Sequence, residues 1–170
     1  MKLDLLRSFY DENIDPFALL RISFIEDRDE LLNMLDKKQI VQWAYQCARS
    51  VHHLIDDENL KKKANECLSL VEEWANAGND NDKRQQLKTV LNIFSASYTS
   101  NASRAVLNAS RAAIYASSTA IYASLTALYA SYATHWASRA ALYASNASDL
   151  NRQQQEATNL RFLIEIAIGK

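Results

Sequence analysis

Five side chains of this sequence could ligate a soft metal or act as a base: Cys47, His52, His53, Cys67 and His135. A structural zinc site needs four ligands at spacings such as Cys-x2-Cys, and these five show no such spacing. Cys47 and Cys67 fall on the apolar stripes of two neighbouring helical segments, where a small thiol packs as a core residue. His52 and His53 fall at the flank of the first of these segments. Nucleophilic or acid–base catalysis would ask for a nucleophile beside a base, a carboxylate pair or a Gly-rich phosphate loop. The chain has two glycines in all, no nucleophile elbow and no His-Glu-x-x-His, and many of its serines belong to a repeat. No catalytic residue, metal or cofactor is expected, and no enzyme.

Two other sets of residues are suited to binding. The run Asp56-Asp57-Glu58, with Glu72-Glu73 expected near it in a hairpin, is either a solvated helix end or a face for a basic partner. Tyr115, Tyr122, Tyr129, Trp136 and Tyr143 recur at seven-residue steps. They either pack inside a bundle or form an exposed ladder, because Tyr and Trp are favoured hot-spot residues.

The elements that must position these residues follow from composition and period. Hairpin turns and βα units consume Gly, Pro and Asn-Gly pairs. One proline and two glycines in 170 residues therefore favour helices with short polar connections, that is, an all-α multi-helix bundle. A net charge of −1 gives no reason to expect nucleic acid. No window of about 18 apolar residues predicts a membrane span. The acidic "MKLDLLRSFYDENIDPF" does not read as a secretory signal, and two cysteines make no disulfide framework, so a cytoplasmic location is expected. The Asn-Ala-Ser triplets at Asn101, Asn108 and Asn146 are then by-products of the repeat rather than glycosylation acceptors.

A single helical domain is expected over 1–170. N-terminal helices occupy 1–38, with Asp15 and Asp27 as caps; strand remains an alternative for the apolar run "PFALLRISFI". A helical hairpin spans 39–78. Its first helix buries Ile40, Ala44, Cys47, Val51 and Leu54, and its second buries Leu60, Ala64, Cys67, Val71 and Trp74. Asp56 or Asp57 caps the second helix and Gly78 stops it. "NDNDKRQQL" reads as a polar, turn-rich segment. Repeat helices fill 83–150, and a C-terminal helix over 153–168 buries Leu160, Leu163, Ile164 and Ala167 before Gly169 closes it.

Within the repeat, Ala-Ser returns every seven residues from Ala102 to Ala144. With Leu107, Ile114, Ile121, Leu128 and Leu142 as position a, the Tyr/Trp line is b, the recurring Ala is c and Ser is d. Arg104, Arg111 and Arg139 take e, and g is mostly Ala. Alanine is the best helix former and a poor strand former, so a β-solenoid is disfavoured. Positions c and g then form one seam of small side chains along a helix, against which a second backbone packs closely. Ser at d and Arg at e are left as the polar side. A single helix over 92–148 would be roughly 85 Å long, far beyond a compact chain of this size. A break is expected near 131–136, where His135 replaces Leu/Ile, or at the hydroxyl-rich 117–119.

The stretch "QIVQWAYQCARSVHHLIDDENLKKKANECLSLVEEWANAG" resembles immunity proteins of bacterial polymorphic toxin systems. The likeness rests on Trp43, Ala44, Cys47, Ala48 and Val51 in one helix, a short acidic turn, and a second helix ending in Glu73, Trp74 and Ala75. A long Ala-rich segment interspersed with aromatics follows, so the likeness covers about 39–150. It implies an all-α protein that binds and neutralises a cognate toxin, and it carries over no site residues. The expected function is stoichiometric protein binding, of this toxin-neutralising kind. The alternatives are a structural or self-assembling helical protein that uses the Ala seam between copies, and an ice- or surface-binding helix face.

Overall fold

A computed structural model describes residues 1–10, 14–77, 81–95, 101–121, 126–147 and 152–170. Among them are nine α-helices and no strand: α1 (Lys2–Phe9), α2 (Pro16–Ile22), α3 (Arg28–Asn33), α4 (Lys37–Val51), α5 (Glu58–Ala77), α6 (Asn81–Ser95), α7 (Asn101–Ile121), α8 (Thr126–Ala147) and α9 (Arg152–Ile168). A 3-10 turn over His52–Leu54 follows α4. The protein is all-α, and "PFALLRISFI" is helical to Ile22.

The helix starts follow cap chemistry. The Asp15 side chain accepts from Ala18 N (3.0 Å), Asp27 from Glu30 N (2.8 Å) and Asp57 from Leu60 N (2.8 Å). Each supplies an acceptor to a first-turn N–H that no helix carbonyl can reach. Asp36 and Gln39 close a reciprocal capping box on α4. Helix α6 starts at Asn81, so most of the segment read as turn-rich is helical. Lys83, Arg84, Gln85 and Gln86 are good helix formers, and Asp82 suits the positive end of the helix dipole. Gly78 lies outside the described residues.

Helices α4 and α5 form the expected antiparallel hairpin. Lys38 Nζ donates to Asn76 O (3.3 Å) at one end and Arg49 Nη1 to Asn65 Oδ1 (3.0 Å) towards the other. The predicted lines from Ile40 to Val51 and from Leu60 to Trp74 are buried, with Leu54 half-buried.

The repeat folds back on itself. Helix α7, about 32 Å long, runs antiparallel to α8, about 33 Å. Asn101 Nδ2 donates to Asn146 O (3.2 Å), Arg104 lies over Tyr143 and Arg111 over Trp136, which fixes the register. This is the most extensive helix–helix contact among the described residues. Where the seam's side chains are described, Ala102, Ala109, Ala137, Ala141 and Ala144 are buried, as the small-residue argument requires. The break is at neither expected place: both 117–119 and 131–136 are helical, α7 ending at Ile121 and α8 beginning at Thr126. A helix absorbs a hydroxyl by bonding it one turn back, as Ser145 Oγ does to Ala141 O (3.0 Å). His135 faces water and so disturbs no packing. The polar side differs too. Ser103, Ser110 and Ser145 at position d are buried beside the alanines.

Helix α4 lies at the centre, packed against α5, α7, α8 and α9, with Trp43 fully buried. The C-terminal end of α9 is tied down by side chains that reach its last carbonyls. Arg7 Nε donates to Ile168 O (3.1 Å) and Gln39 Nε2 to Ile166 O (3.3 Å).

Candidate functional site

Helices α2 and α9 end in the same hydrogen-bond motif built on different residues. At α9, Lys170 N donates to Glu165 O (2.9 Å) and Gly169 N to Ile166 O (3.2 Å), with Gly169 at φ +80°. At α2, Ile25 N donates to Leu20 O (3.0 Å) and Phe24 N to Arg21 O (3.1 Å), with Phe24 at φ +59°. Both are Schellman caps, whose left-handed position favours glycine because it has no Cβ. The cap explains why the chain turns sharply here, with Leu20 and Ile25 buried as its apolar pair. It does not explain the residue. Phe24 is 72% exposed, so its ring adds nothing to the core while its backbone sits in a conformation that L-residues avoid.

Phe24 is not the one exposed apolar residue of this segment. Phe17 and Ile22 on α2 are each 44% exposed. Phe17 lines a groove of about 470 Å³ bounded by α2, the start of α3, α8 and α9, and Leu142 of α8 lines it too. Its charged lining consists of Glu26, Asp27, Asp29 and Glu156 with Arg21 and Arg28, four carboxylates against two guanidiniums. Arg28 stacks 5.9 Å from the Trp43 ring centroid.

The floor of the groove is polar and fully organised. Trp43 Nε1 donates to Asn159 O (2.7 Å), and Asn159 Nδ2 donates to Ala141 O and Ser145 Oγ (both 3.0 Å). Gln155 Nε2 donates to Asn159 Oδ1 (3.0 Å) and Ser50 Oγ (3.1 Å). Asn159, Gln155 and Ser145 are buried. Such a network fixes the relative placement of α4, α8 and α9, since each buried polar group is costly if left unpaired. It holds no nucleophile–base pair. The groove offers shape, apolar contact and charge, the means of binding another molecule.

A second cluster lies along the α7–α8 seam. Arg111 sits 4.5 Å from the Trp136 ring centroid, and Arg139 sits 5.7 Å from Trp136 and 5.6 Å from Tyr143. Arg104 sits 5.7 Å from Tyr143, whose hydroxyl accepts from Arg139 Nη2 (3.0 Å). Trp136 and Tyr143 are thus half-buried and clad by guanidiniums, neither core nor a bare ladder. Tyr115 and Tyr129 lie on the backbones of α7 and α8, with side chains outside the described residues, and Tyr122 lies outside them altogether.

The acidic residues are dispersed. Asp56, Asp57 and Glu58 are exposed at the α4–α5 turn, where Asp57 caps α5 and Glu58 pairs with Lys61 (3.7 Å). Glu72 and Glu73 are not near them. They lie about 21 Å further along α5, near its other end. Both thiols are buried. Burial pushes Cys67 up to about 12, with the Ser110 hydroxyl pulling the other way, and pushes Cys47 up as well. A thiolate, the form that ligates metals and attacks electrophiles, is disfavoured at both. Burial lowers His52, whose Nδ1 lies 2.8 Å from Arg49 O; His53 and His135 are exposed. Among the described residues, no three His, Cys, Asp or Glu side chains gather as a metal site, and no helix is long and apolar enough to cross a membrane.

Sequence reasoning did not single out Phe17, Phe24, Asn159 or Gln155. Phe24 falls inside the run read as helix and lacks the Gly that signals a left-handed cap. Nothing in the spacing reveals that Asn159 faces Trp43 across 116 positions. The arginines had a readable signal, because Asn101–Ser148 contains three of them and no acidic residue. The described seam alanines are buried inside one chain. Comparison with family models, with curated proteins and with solved structures finds no match to this chain.

Proposed function

We propose that this chain is a protein-binding protein that neutralises a bacterial toxin by stoichiometric binding, and that α2 and the groove beside it form its docking face. The observation that carries this reading is Phe24, an exposed aromatic kept in a left-handed cap where the equivalent cap of α9 uses Gly169. A residue that costs the folded state conformational energy without adding to the core is best explained by a contact made outside the chain. Phe17, Ile22 and Leu142 extend the apolar surface, and the excess of carboxylates around the groove suits a partner segment with apolar anchors flanked by Lys or Arg. The toxin identity of that partner rests on the resemblance of residues 39–150 to immunity proteins.

The test is growth protection. The chain is co-expressed with the product of the gene next to its own, and binding of the purified pair is measured by calorimetry. Protection and a one-to-one complex are expected, with Phe24→Gly weakening binding at least tenfold while the variant stays folded. A neighbouring product that neither binds nor harms the cell would contradict the toxin reading. Full affinity in Phe24→Gly and Phe17→Ser alike would contradict the docking face.

A further inference from the structure

Helix α8 borders a second groove beside the docking face, and its lining includes His135, the residue that departs from the heptad. This groove, of about 520 Å³, lies between α8 and the segment from α3 to the start of α4. Thr134, His135 and Ser138 line it from α8, and Leu32, Leu35 and Ile40 supply its apolar residues. The groove of the docking face takes Ala141, Leu142 and Ser145 from the same helix. At 3.6 residues per turn these six positions fall within about 120° of one another, a single stripe. The two grooves share Asp29, so they adjoin. Helices α2 and α3 pack on α9 and leave an open trench along α8, with His135 and Leu142 exposed.

The trench has a length and a repeat. From Thr134 to Ser145 it follows α8 for about 16 Å, three helical turns. His135 and Leu142 are equivalent heptad positions, so the two grooves are set about 10.5 Å apart along the axis. A second helix laid along α8 presents side chains i and i+7 at that same separation and on one face. An extended segment is served poorly. It leaves its backbone N–H and C=O groups to be paired, and among the described residues no strand edge is present to pair them. A helix satisfies its own backbone and needs only side-chain contacts. Charge differs between the grooves. The first sets Glu26, Asp27, Asp29 and Glu156 against Arg21 and Arg28, whereas the second sets Asp29 against Lys37, with His135 beside it. A partner cation is favoured at the first groove and not at the second.

We propose that the partner lays one amphipathic helix along α8, with two large apolar anchors seven residues apart, one in each groove, and Lys or Arg beside the anchor in the first. This rests on the docking face proposed above and names the element that occupies it. The probe is a synthetic Ala-rich peptide of about 18 residues, past the length at which such helices are marginal in water. It carries two phenylalanines seven residues apart, with lysines flanking one of them. Calorimetric titration into the full chain should show saturable one-to-one binding. Setting the phenylalanines five residues apart puts them on different faces and weakens binding about tenfold or more. Exchanging the lysines for glutamate weakens it as well. In the chain, Asn33→Arg crowds the second groove from an exposed position and Leu142→Ala removes an apolar contact from the first, and each weakens binding. Lys62→Gln, exposed on α5 away from the trench, leaves it unchanged. Should Asn33→Arg fail to fold, His135→Arg carries the same expectation. Absence of saturable binding by the folded chain overturns the proposal. So does equal binding of the five-spaced peptide or of one broken by a central proline, or wild-type affinity in both groove variants. The product of the neighbouring gene separates this failure from that of the docking face. If it loses affinity for Phe24→Gly but keeps it for Asn33→Arg, the docking face stands and the helix along α8 falls. If Phe24→Gly and Phe17→Ser bind it fully while the peptide behaves as stated, the docking face falls and the trench stands as a helix-binding site.

Discussion

Position a of the heptad is Leu107 in α7 and Leu142 in α8; the first is 2% exposed and the second 44%. The two helices carry near-copies of one seven-residue unit and share one seam, yet from Ala105 to Ser110 every residue of α7 is buried. Helix α7 is wrapped by α4, α5, α6 and α8, whereas α8 is covered by α4, α7 and α9 and keeps one side to solvent. A repeat therefore specifies a helix and a meeting surface, but its neighbours decide which remaining faces are core. The exposed side of α8 is where Leu142 becomes a wall of the groove.

That difference predicts unequal costs for equal chemistry. Leu107→Ala should destabilise the chain by about 2–5 kcal/mol, the range for a buried leucine that leaves a cavity. Leu142→Ala should stay within about 0.5 kcal/mol, as a surface change away from core packing. Urea denaturation of both variants checks this, and similar losses would break the comparison. Between these limits falls Asn159→Ala, expected to cost about 1–3 kcal/mol by leaving Gln155 Nε2, Ser145 Oγ and the Ala141 carbonyl each one hydrogen bond short. A loss near that of Leu142→Ala would mean the network does not fix α8 against α9. Phe24→Gly sharpens the contrast from the other side. It should stabilise the isolated chain by about 1 kcal/mol through relief of the left-handed backbone, and a thermal melt showing destabilisation would remove the conflict between fold and contact on which the docking face rests.

The helices and their inner faces were legible because their causes are local. Caps at Asp15, Asp27 and Asp57, and apolar residues at steps of three and four, need no knowledge of the rest of the chain. The Ala seam was legible for the same reason. Its turn was misplaced because the hydroxyls at 117–119 and His135 were read as breakers, although the backbone is helical at both places and His135 faces water. The site was largely illegible. Phe24 matters through a backbone angle that its residue type does not announce, and the groove floor joins Trp43, Ser145 and Asn159 from three helices. Trp136 and Tyr143 were marked as binding residues by their spacing, but their arginine cladding depends on the register of two helices.

The antiparallel closure of α7 on α8 underlies the seam, the groove wall and the arginine cladding alike, and a single distance tests it. Spin labels at Asn101→Cys and Asn146→Cys, with the buried Cys47 and Cys67 unreactive in the folded chain, should report two sites in near contact, since Asn101 Nδ2 lies 3.2 Å from Asn146 O. A separation approaching about 68 Å, the span of 45 residues in one unbroken helix, would contradict the closure and everything built on it.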